Sequence, residues 1–149
     1  MRTELLVLYS VEDNLSFKLE EFAKHSRKHS ELLQLWWNDK TGENHSDDVA
    51  SDHGFMVWND DRPIAAIFLY PVYGCKMALI GTPIANPLVF KEERRAALDF
   101  LVAGVEEKAK SLHYDYLMTY AGSNGAKEMF SRIGYVKGDE NVINYCKKI

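Results

Sequence analysis

The chain has 149 residues, of which 46% are hydrophobic and 27% charged, and its formal net charge is −4 at pH 7. This length allows one domain with a buried core, and the composition excludes a chain that is disordered throughout. The acidic balance argues against general nucleic-acid binding, because such proteins need a basic face. No apolar run approaches the roughly 18–20 residues that cross a bilayer, and the first residues lack a signal-peptide core. We therefore expect one domain over residues 1–149, located in the cytoplasm, with no nucleic-acid or membrane partner.

The N-terminal part of the chain predicts one strand followed by two helices. Residues 5–9 are short and apolar, as in a first strand. Asn14 or Ser16 could cap a helix that ends near His25, because apolar side chains recur there at helical spacing: Leu15, Leu19, Phe22 and Ala23. A second short helix is predicted over residues 30–37.

A polar, acidic segment separates these helices from three predicted strands. Residues 38–54 carry five acids against one lysine and no repeated apolar pattern, which predicts a long exposed loop. Turn-forming residues then divide the apolar runs that we interpret as strands, at residues 55–58, 64–70 and 76–80.

The C-terminal part predicts a long helix, a strand, a short helix and a closing hairpin. The long helix should cover residues 92–112, where apolar residues step by three or four: Leu98, Leu101, Val105, Ala109 and Leu112. Residues 114–121 alternate as in a strand, and residues 124–133 fit a short helix ended by Gly134. Residues 135–137 and 142–146 predict two hairpin strands.

Cysteine and histidine spacing gives no metal site. Cys75 and Cys146 lie outside any metal-ligand spacing, and we expect reduced thiols in or near the core. His25 and His29 are four residues apart, one turn after Glu21, but no third residue has ligand spacing. We interpret them, and His45 and His53 of the acidic segment, as solvated polar surface.

Three motifs in the second half resemble the GNAT acetyltransferase superfamily. Residues 124–126 and 129–135 together are similar to its N-x-x-A…L-Y-x-K-x-G-F signature. Residues 113–117 are similar to the passage from the family's long helix into the next strand, and Asn86-Pro87 matches the end of its fourth strand. The resemblance covers roughly residues 55–146. It implies an α+β, sandwich-like fold with a mixed, mostly antiparallel sheet of about six or seven strands and about four helices.

The resemblance implies an N-acetyltransferase that moves an acetyl group from acetyl-CoA to an amine of a small molecule or a protein. In that family the pyrophosphate lies on backbone amides at the start of the long helix, where the helix dipole favours an anion. The backbone from Ile80 to Ala85 would hold the thioester and the pantetheine arm, with an N–H polarising the thioester carbonyl. A homo-oligomer is also possible.

The phosphate loop departs from the family pattern. An ungapped match covers residues 90–95 and places Glu93 and Arg95 where the family has glycines. Acidic residues there would repel a pyrophosphate, although they also complement a helix dipole. A shifted register would instead make Lys91, Arg94 and Arg95 the phosphate ligands.

The position that matches the family's proton-donating Tyr is Phe130, which has no proton to give. Tyr120 and Tyr135 are near in sequence, but the match does not place them in that role. Asn124 could contact the pantetheine arm or serve as the helix N-cap. These departures keep open an alternative, a catalytically inactive GNAT-fold protein with a binding or regulatory role.

The acceptor side is less well defined. A water molecule, Asp47 or Asp48 could act as the general base, and the acidic segment would favour a cationic acceptor. Five aromatic residues could either line an acceptor cleft or belong to the core: Trp36, Trp37, Trp58, Tyr70 and Tyr73.

Overall fold

The computed structural model describes residues 4–8, 16–22, 27–43, 50–81, 83–143 and 145–149. These ranges contain seven strands and three helices. In chain order they are β1 (Glu4–Leu8), β2 (Ser16–Glu21), α1 (Arg27–Thr41), β3 (His53–Asn59), β4 (Arg62–Pro71), β5 (Met77–Ile80), β6 (Ile84–Ala85), α2 (Lys91–Ser111), β7 (Tyr116–Thr119) and α3 (Asn124–Arg132). No helix of the described ranges has the length and apolar character needed to cross a membrane.

The strands form one mixed sheet in the order β1-β2-β3-β4-β5-β7, and β6 pairs with β4. Every described pairing is antiparallel except that of β5 with β7, which is parallel. A parallel neighbour needs a crossover, and α2 supplies it. The expected mixed, mostly antiparallel α+β architecture is confirmed.

Helices cover both faces of the sheet. Strand β4 is buried along its centre because it has a neighbour on each edge and a helix on each face. On one face α2 and α3 pack against alternate strand residues, forming a core that includes Phe17, Leu19, Val57, Ile67, Leu69, Phe100, Leu101, Val105, Met129 and Phe130. On the other face α1 covers a second cluster: Phe22, Leu33, Trp36, Ala50, Met56, Trp58, Ala66, Phe68 and Ile84.

The first predicted helix is wrong, because residues 16–21 form β2. Phe17 and Leu19 point to the α2 face, while Glu20 and Phe22 point to the α1 face. Apolar residues on both faces of a short strand can mimic helical spacing, and pairing with β1 and β3 decides between the two. The rest of that predicted helix lies outside the described residues.

The other elements keep their predicted order with shifted ends. The second predicted helix exists as α1 but is longer, and it takes residues 38–41 from the predicted loop. Strand β3 likewise takes residues 53 and 54, and residues 44–49 lie outside the described ranges. The long helix, the following strand and the short helix are confirmed as α2, β7 and α3.

The closing hairpin is wrong for the described residues. Residues 135–143 and 145–149 contain no strand, and the apolar side chains after Tyr135 are exposed, among them Val136, Val142, Ile143 and Tyr145. A strand of a small sheet is stabilised by burial of one face and by cross-strand pairs. Neither is available to this segment.

The expectation of core cysteines is also wrong, because both thiols are free and exposed. Cys75 lies in the turn between β4 and β5, where its Sγ donates to the carbonyl of Met77 at 3.4 Å. Cys146 lies in the C-terminal segment without regular structure. Neither residue has the buried face of a helix or strand to occupy.

Candidate functional site

The sheet divides at the carboxyl ends of β5 and β7. Their parallel pairing ends with Ile80 opposite Thr119, and the Thr119 hydroxyl donates to the Ile80 carbonyl at 2.9 Å. Beyond this point the chain after β5 turns to β4, where Ala85 pairs with Ala65. The chain after β7 leaves toward α3. The described strand pairing between the two parts therefore ends at these residues, and we call the region between β6 and the residues that follow Thr119 the opening.

The backbone of β6 presents a donor to this opening. Asn86 N–H donates to the Ile64 carbonyl at 2.8 Å, so Asn86 and Ile64 form a hydrogen-bonded pair of the antiparallel ladder. Groups on successive residues point to opposite edges of a strand. The N–H of Ala85 therefore points away from β4, toward the opening.

Helix α2 begins beside the opening without a side-chain cap. Its N-cap residue, Phe90, is extended (φ −60°, ψ 147°) and makes no side-chain cap hydrogen bond. Asn86 positions this start, because its amide donates to the Pro63 carbonyl at 2.9 Å and its Oδ1 accepts from Leu88 N–H at 3.0 Å. The first amides of a helix have no acceptor within the helix, so they carry its partial positive charge.

Glu93 does not turn back to cap this helix start. Its Oε1 accepts from Asn59 Nδ2 at 2.7 Å and from the guanidinium of Arg62, both at the turn between β3 and β4. The Glu93 side chain is only 10% exposed in this ion pair. Its negative charge is therefore balanced by Arg62, whereas Glu92 is exposed.

The three cationic residues that the sequence predicts as phosphate ligands lie in different surroundings. Lys91 is exposed and Arg94 is half-buried, both in the first turn of α2. Arg95 Nη2 instead donates to Glu128 of α3 at 2.9 Å. The structure therefore brings Lys91 and Arg94 to the helix start and shares the charge of Arg95 with α3.

An ion-pair network joins α3 to α2. Arg132 makes two hydrogen bonds of 2.7 Å to Asp99 and one of 3.1 Å to Glu128, which also holds Arg95. The hydrogen bonds to Asp99 are the main cause that raises the pKa of the Arg132 guanidinium. This network links α3 to α2, next to the core contacts of Met129 and Phe130.

Asn124 is not the helix N-cap. Ser123 is the cap, because its Oγ accepts from Ala126 N–H at 3.1 Å. Asn124 is the first residue of α3 and is exposed. Its side chain is therefore not needed for capping, which leaves a contact with a ligand as its remaining predicted role.

The structure gives Phe130 and Tyr135 a packing role. Phe130 is buried and meets the Tyr135 ring edge-on at 5.1 Å. The Tyr135 hydroxyl donates to Glu106 of α2 at 3.4 Å, and burial, with Glu106, raises its pKa. Tyr120 is the residue directly after β7 and is 47% exposed.

No family model matches the sequence, and no curated protein matches it. Solved structures do match. An aminoglycoside acetyltransferase, meta-AAC0020, from an uncultured soil metagenomic sample in complex with sisomicin is 14% identical, with a TM-score of 0.63 over 92% of this chain and 98% of its own. The aminoglycoside N-acetyltransferase AAC(6')-Iy in complex with CoA is 14% identical, with a TM-score of 0.58 over 100% of this chain and 96% of its own. The chain has the GNAT fold.

A third match comes from a larger enzyme. N-acetylglutamate synthase from Neisseria gonorrhoeae, complexed with coenzyme A and N-acetyl-glutamate, is 14% identical with a TM-score of 0.62. The match covers 85% of this chain and 30% of that protein. The sequence motifs predict the GNAT fold, and the structural matches confirm it. The sequence identities to these proteins are low.

In this GNAT fold the Tyr70 ring lies against Gly81, where the chain leaves β5. A Cβ on Gly81, the residue after β5, would lie 3.0 Å from Tyr70 Cε2 and 3.7 Å from its hydroxyl oxygen. Burial raises the pKa of the Tyr70 hydroxyl above its ordinary value, which already lies well above neutral pH. The sequence offers Tyr70 as a residue of either an acceptor cleft or the core, but its contact with Gly81 arises only because β4 pairs with β5.

The other aromatic residues divide between core and surface. Trp36 and Trp58 are buried in the α1-facing cluster, and Trp37 packs partly against it. Tyr73 is fully exposed in the turn after β4. The core interpretation is therefore confirmed for Trp36 and Trp58 and wrong for Tyr73.

His29 corrects the expectation of a solvated histidine surface. It is buried, and its Nε2 lies 2.6 Å from Glu20 Oε1 beneath α1. His25 and His45 lie outside the described residues, as do Asp47 and Asp48, whereas His53 begins β3. Within the described ranges no group of three or more potential ligands is close enough to hold a metal ion.

Proposed function

We propose that the chain is an N-acetyltransferase that binds acetyl-CoA in the opening between β6 and the residues after β7, and transfers the acetyl group to an amine. The observation that carries the proposal is the division of the sheet at Ile80 and Thr119 directly beside the uncapped start of α2. The opening would hold the thioester arm, and the positive N-terminal end of α2 beside it would bind the diphosphate.

The fit to a diphosphate depends on the balance of charge at the helix start. Lys91 and Arg94 supply cations there, and the amides of residues 91–93 supply donors. Glu93 would oppose an anion, but its carboxylate is paired with Arg62. Arg95 contributes less than the sequence suggests, because Glu128 shares its charge.

The thioester would lie along β6. Acetyl-CoA supplies a carbonyl carbon that an amine can attack. The Ala85 N–H would donate to the carbonyl oxygen, where negative charge develops. Asn124, at the start of α3 and not engaged in capping, would contact the pantetheine arm.

Tyr70 replaces Phe130 as the candidate proton donor to the departing thiolate. Its ring lies against Gly81, the residue that follows β5, and its hydroxyl is protonated at neutral pH and therefore has a proton to donate. Phe130 is buried against Tyr135 and has no proton to donate. Proton donation by a positioned side chain typically contributes on the order of a hundredfold or more to the rate.

The acceptor is proposed to be a small amine, and its general base a water molecule or an acid such as Asp47 or Asp48. Two of the matched proteins are named as aminoglycoside acetyltransferases, which supports an amine of this size. The acidic residues 47 and 48 would attract a cationic acceptor if their segment borders the opening.

Calorimetric titration with acetyl-CoA tests the proposal. We expect micromolar binding, which would stabilise the fold by roughly 2.7 kcal/mol at a hundredfold excess over Kd. The double variant Arg94→Glu/Lys91→Glu should weaken binding at least about tenfold, because it reverses two charges at the helix start.

A matched control is Lys147→Glu/Lys148→Glu, which makes the same charge change in the exposed C-terminal segment. It should bind acetyl-CoA like the unaltered chain. Absence of binding at millimolar acetyl-CoA would reject the proposal. Equal weakening in both double variants would reject the assignment of the phosphate site.

A further inference from the structure

The C-terminal end of α1 places a lysine against the chain that enters β6. Lys40 is in the last turn of α1, and its Nζ donates to the Pro83 carbonyl at 3.4 Å. Pro83 directly precedes β6, and Ala85, whose N–H is proposed to polarise the thioester, is the last residue of that strand. The contact joins residues 43 positions apart, so the fold alone brings Lys40 to this strand.

The hydrogen-bond pattern of β6 places the Pro83 carbonyl and the Ala85 N–H on the same edge of the strand. Asn86 N–H donates to the Ile64 carbonyl of β4, so the N–H of Ile84, two residues earlier, also points to β4. The Pro83 carbonyl belongs to the same trans peptide as that N–H and points the opposite way. The ammonium that donates to this carbonyl therefore lies at the edge of β6 that faces the opening.

The distance between the ammonium and the proposed thioester site is within reach of a lysine side chain. Two residues of a strand span about 7 Å, so Lys40 Nζ lies within about 10 Å of the Ala85 nitrogen. A carbonyl oxygen bound to the Ala85 N–H would project from the same edge of β6. The hydrogen bond of 3.4 Å to Pro83 is long and weak, and the lysine stem is flexible. The amine can therefore leave the Pro83 carbonyl and approach a bound thioester.

The two faces of the sheet also favour this approach. With its diphosphate at the start of α2, acetyl-CoA would begin on the face of the sheet that α2 covers. Lys40 belongs to α1, which covers the opposite face and contacts β6 there, where Ile84 belongs to the cluster under α1. An arm that passes the edge of β6 would bring its acetyl end toward the face on which Lys40 lies.

The Lys40 ammonium also loses its proton more readily than that of an ordinary lysine. The residue as a whole is exposed, but protein atoms around the end of its side chain exclude part of the water, and this burial lowers the pKa of Lys40. A lower pKa raises the neutral fraction of the amine at a given pH, and only the neutral amine is a nucleophile.

We propose that the chain acetylates its own Lys40 when acetyl-CoA is bound, a step that rests on the proposed function. The neutral ε-amine forms a bond to the thioester carbonyl carbon, and the carbon–sulfur bond breaks. The nitrogen gives up one proton and the departing CoA thiolate takes one up, so the products are N-acetyl-lysine and CoA. Acetylation removes the positive charge of Lys40 at this edge of β6.

Incubation of the unaltered chain with acetyl-CoA, followed by chymotrypsin digestion and mass spectrometry, measures the acetylation rate of each lysine. Lys76 is the matched control. Its Nζ also donates to a backbone carbonyl, that of His113 at 3.3 Å, but it lies before β5, at the end of the parallel pair opposite to the opening. We expect Lys40 to be acetylated at least about tenfold faster than Lys76, because acetyl-CoA is held beside it. The first-order rate constant at Lys40 should saturate with acetyl-CoA and should not depend on protein concentration.

Two variants test the site and the route. Lys40→Arg keeps the positive charge but has no amine to acetylate, so the fast-reacting acetyl group should be absent. Lys91→Glu/Arg94→Glu should slow acetylation of Lys40 at least about tenfold at subsaturating acetyl-CoA, because it weakens binding of the diphosphate.

Equal rates at Lys40 and Lys76 would overturn the proposal, since they would indicate chemical acetylation from solution. A rate constant that rises in proportion to protein concentration would also overturn it, because the transfer would then occur between molecules. Calorimetric titration separates this inference from the proposed function. Acetyl-CoA that binds without fast acetylation of Lys40 would refute this inference alone, whereas absence of binding would refute both.

Discussion

The start of α2 and the segment after Tyr135 are both charged surface regions, but they differ in their contacts with distant parts of the chain. At the start of α2, Glu93 reaches Asn59 and Arg62, some thirty residues earlier in the chain. In the C-terminal segment the described ion pair is local, between Lys137 and Glu140 three residues later. Contacts between distant parts of the chain give the first region a defined geometry, and their scarcity leaves the second without strands.

The comparison shows where apolar residues stabilise the fold. Leu101 of α2 is fully buried against the sheet, whereas Ile143 is 71% exposed. Leu101→Ala should lower the free energy of unfolding by about 2–5 kcal/mol, since it removes methyl groups and leaves a cavity. Ile143→Ala should change it by less than about 0.5 kcal/mol. Urea unfolding of both variants measures the difference, and similar losses would place the C-terminal segment in the core.

The charge balance at the start of α2 gives a second, smaller expected effect. Arg62→Ala leaves the Glu93 carboxylate unpaired beside the helix start, so acetyl-CoA should bind about tenfold more weakly. Glu93→Ala alone should not weaken binding, because it removes the anion that opposes the diphosphate. Calorimetric titration provides the affinities.

The double variant Arg62→Ala/Glu93→Ala separates two explanations. If Arg62 acts by neutralising Glu93, the double variant should recover most of the lost affinity. If the double variant binds as weakly as Arg62→Ala, Arg62 contacts the ligand itself, and the role assigned to the ion pair is wrong.

The smallest effect is expected from shortening the C-terminal segment. A chain that ends at Lys137 loses residues 138–149, which make no strand in the described ranges. Its free energy of unfolding should change by less than about 1 kcal/mol, because an exposed ion pair such as Lys137–Glu140 contributes little. Thermal unfolding measures this. A loss above about 2 kcal/mol would mean that the segment packs on the fold after all.

Much of the fold could be predicted from sequence, and the failures share a cause. Strand β4 and helix α2 have long apolar patterns of constant spacing, so neighbouring residues alone are enough to predict them. For strand β2 the sequence predicts a helix, because Leu19 and Phe22 fit the helical spacing, and only pairing with β3 decides for a strand. The sequence predicts a C-terminal hairpin around residues 138–141, but the described residues 135–143 and 145–149 contain no strand.

The candidate site was predictable only in outline. Motif matching pointed to Lys91, Arg94 and Arg95, and the structure places the first two at the uncapped helix start. It could not show that Arg95 is shared with Glu128, or that Ser123 rather than Asn124 caps α3. Both contacts depend on how the chain folds around them, which the sequence motifs do not show.

The sequence by itself determined the order of most elements and the GNAT-like motifs, because helix and strand periodicity and turn residues act over a few neighbours. Tertiary structure alone decided the division of the sheet at Ile80 and Thr119, the ion pair that neutralises Glu93, and the contact of Lys40 with Pro83. Those features join residues that are far apart in the chain, and the pairing of strands and the packing of helices bring them together.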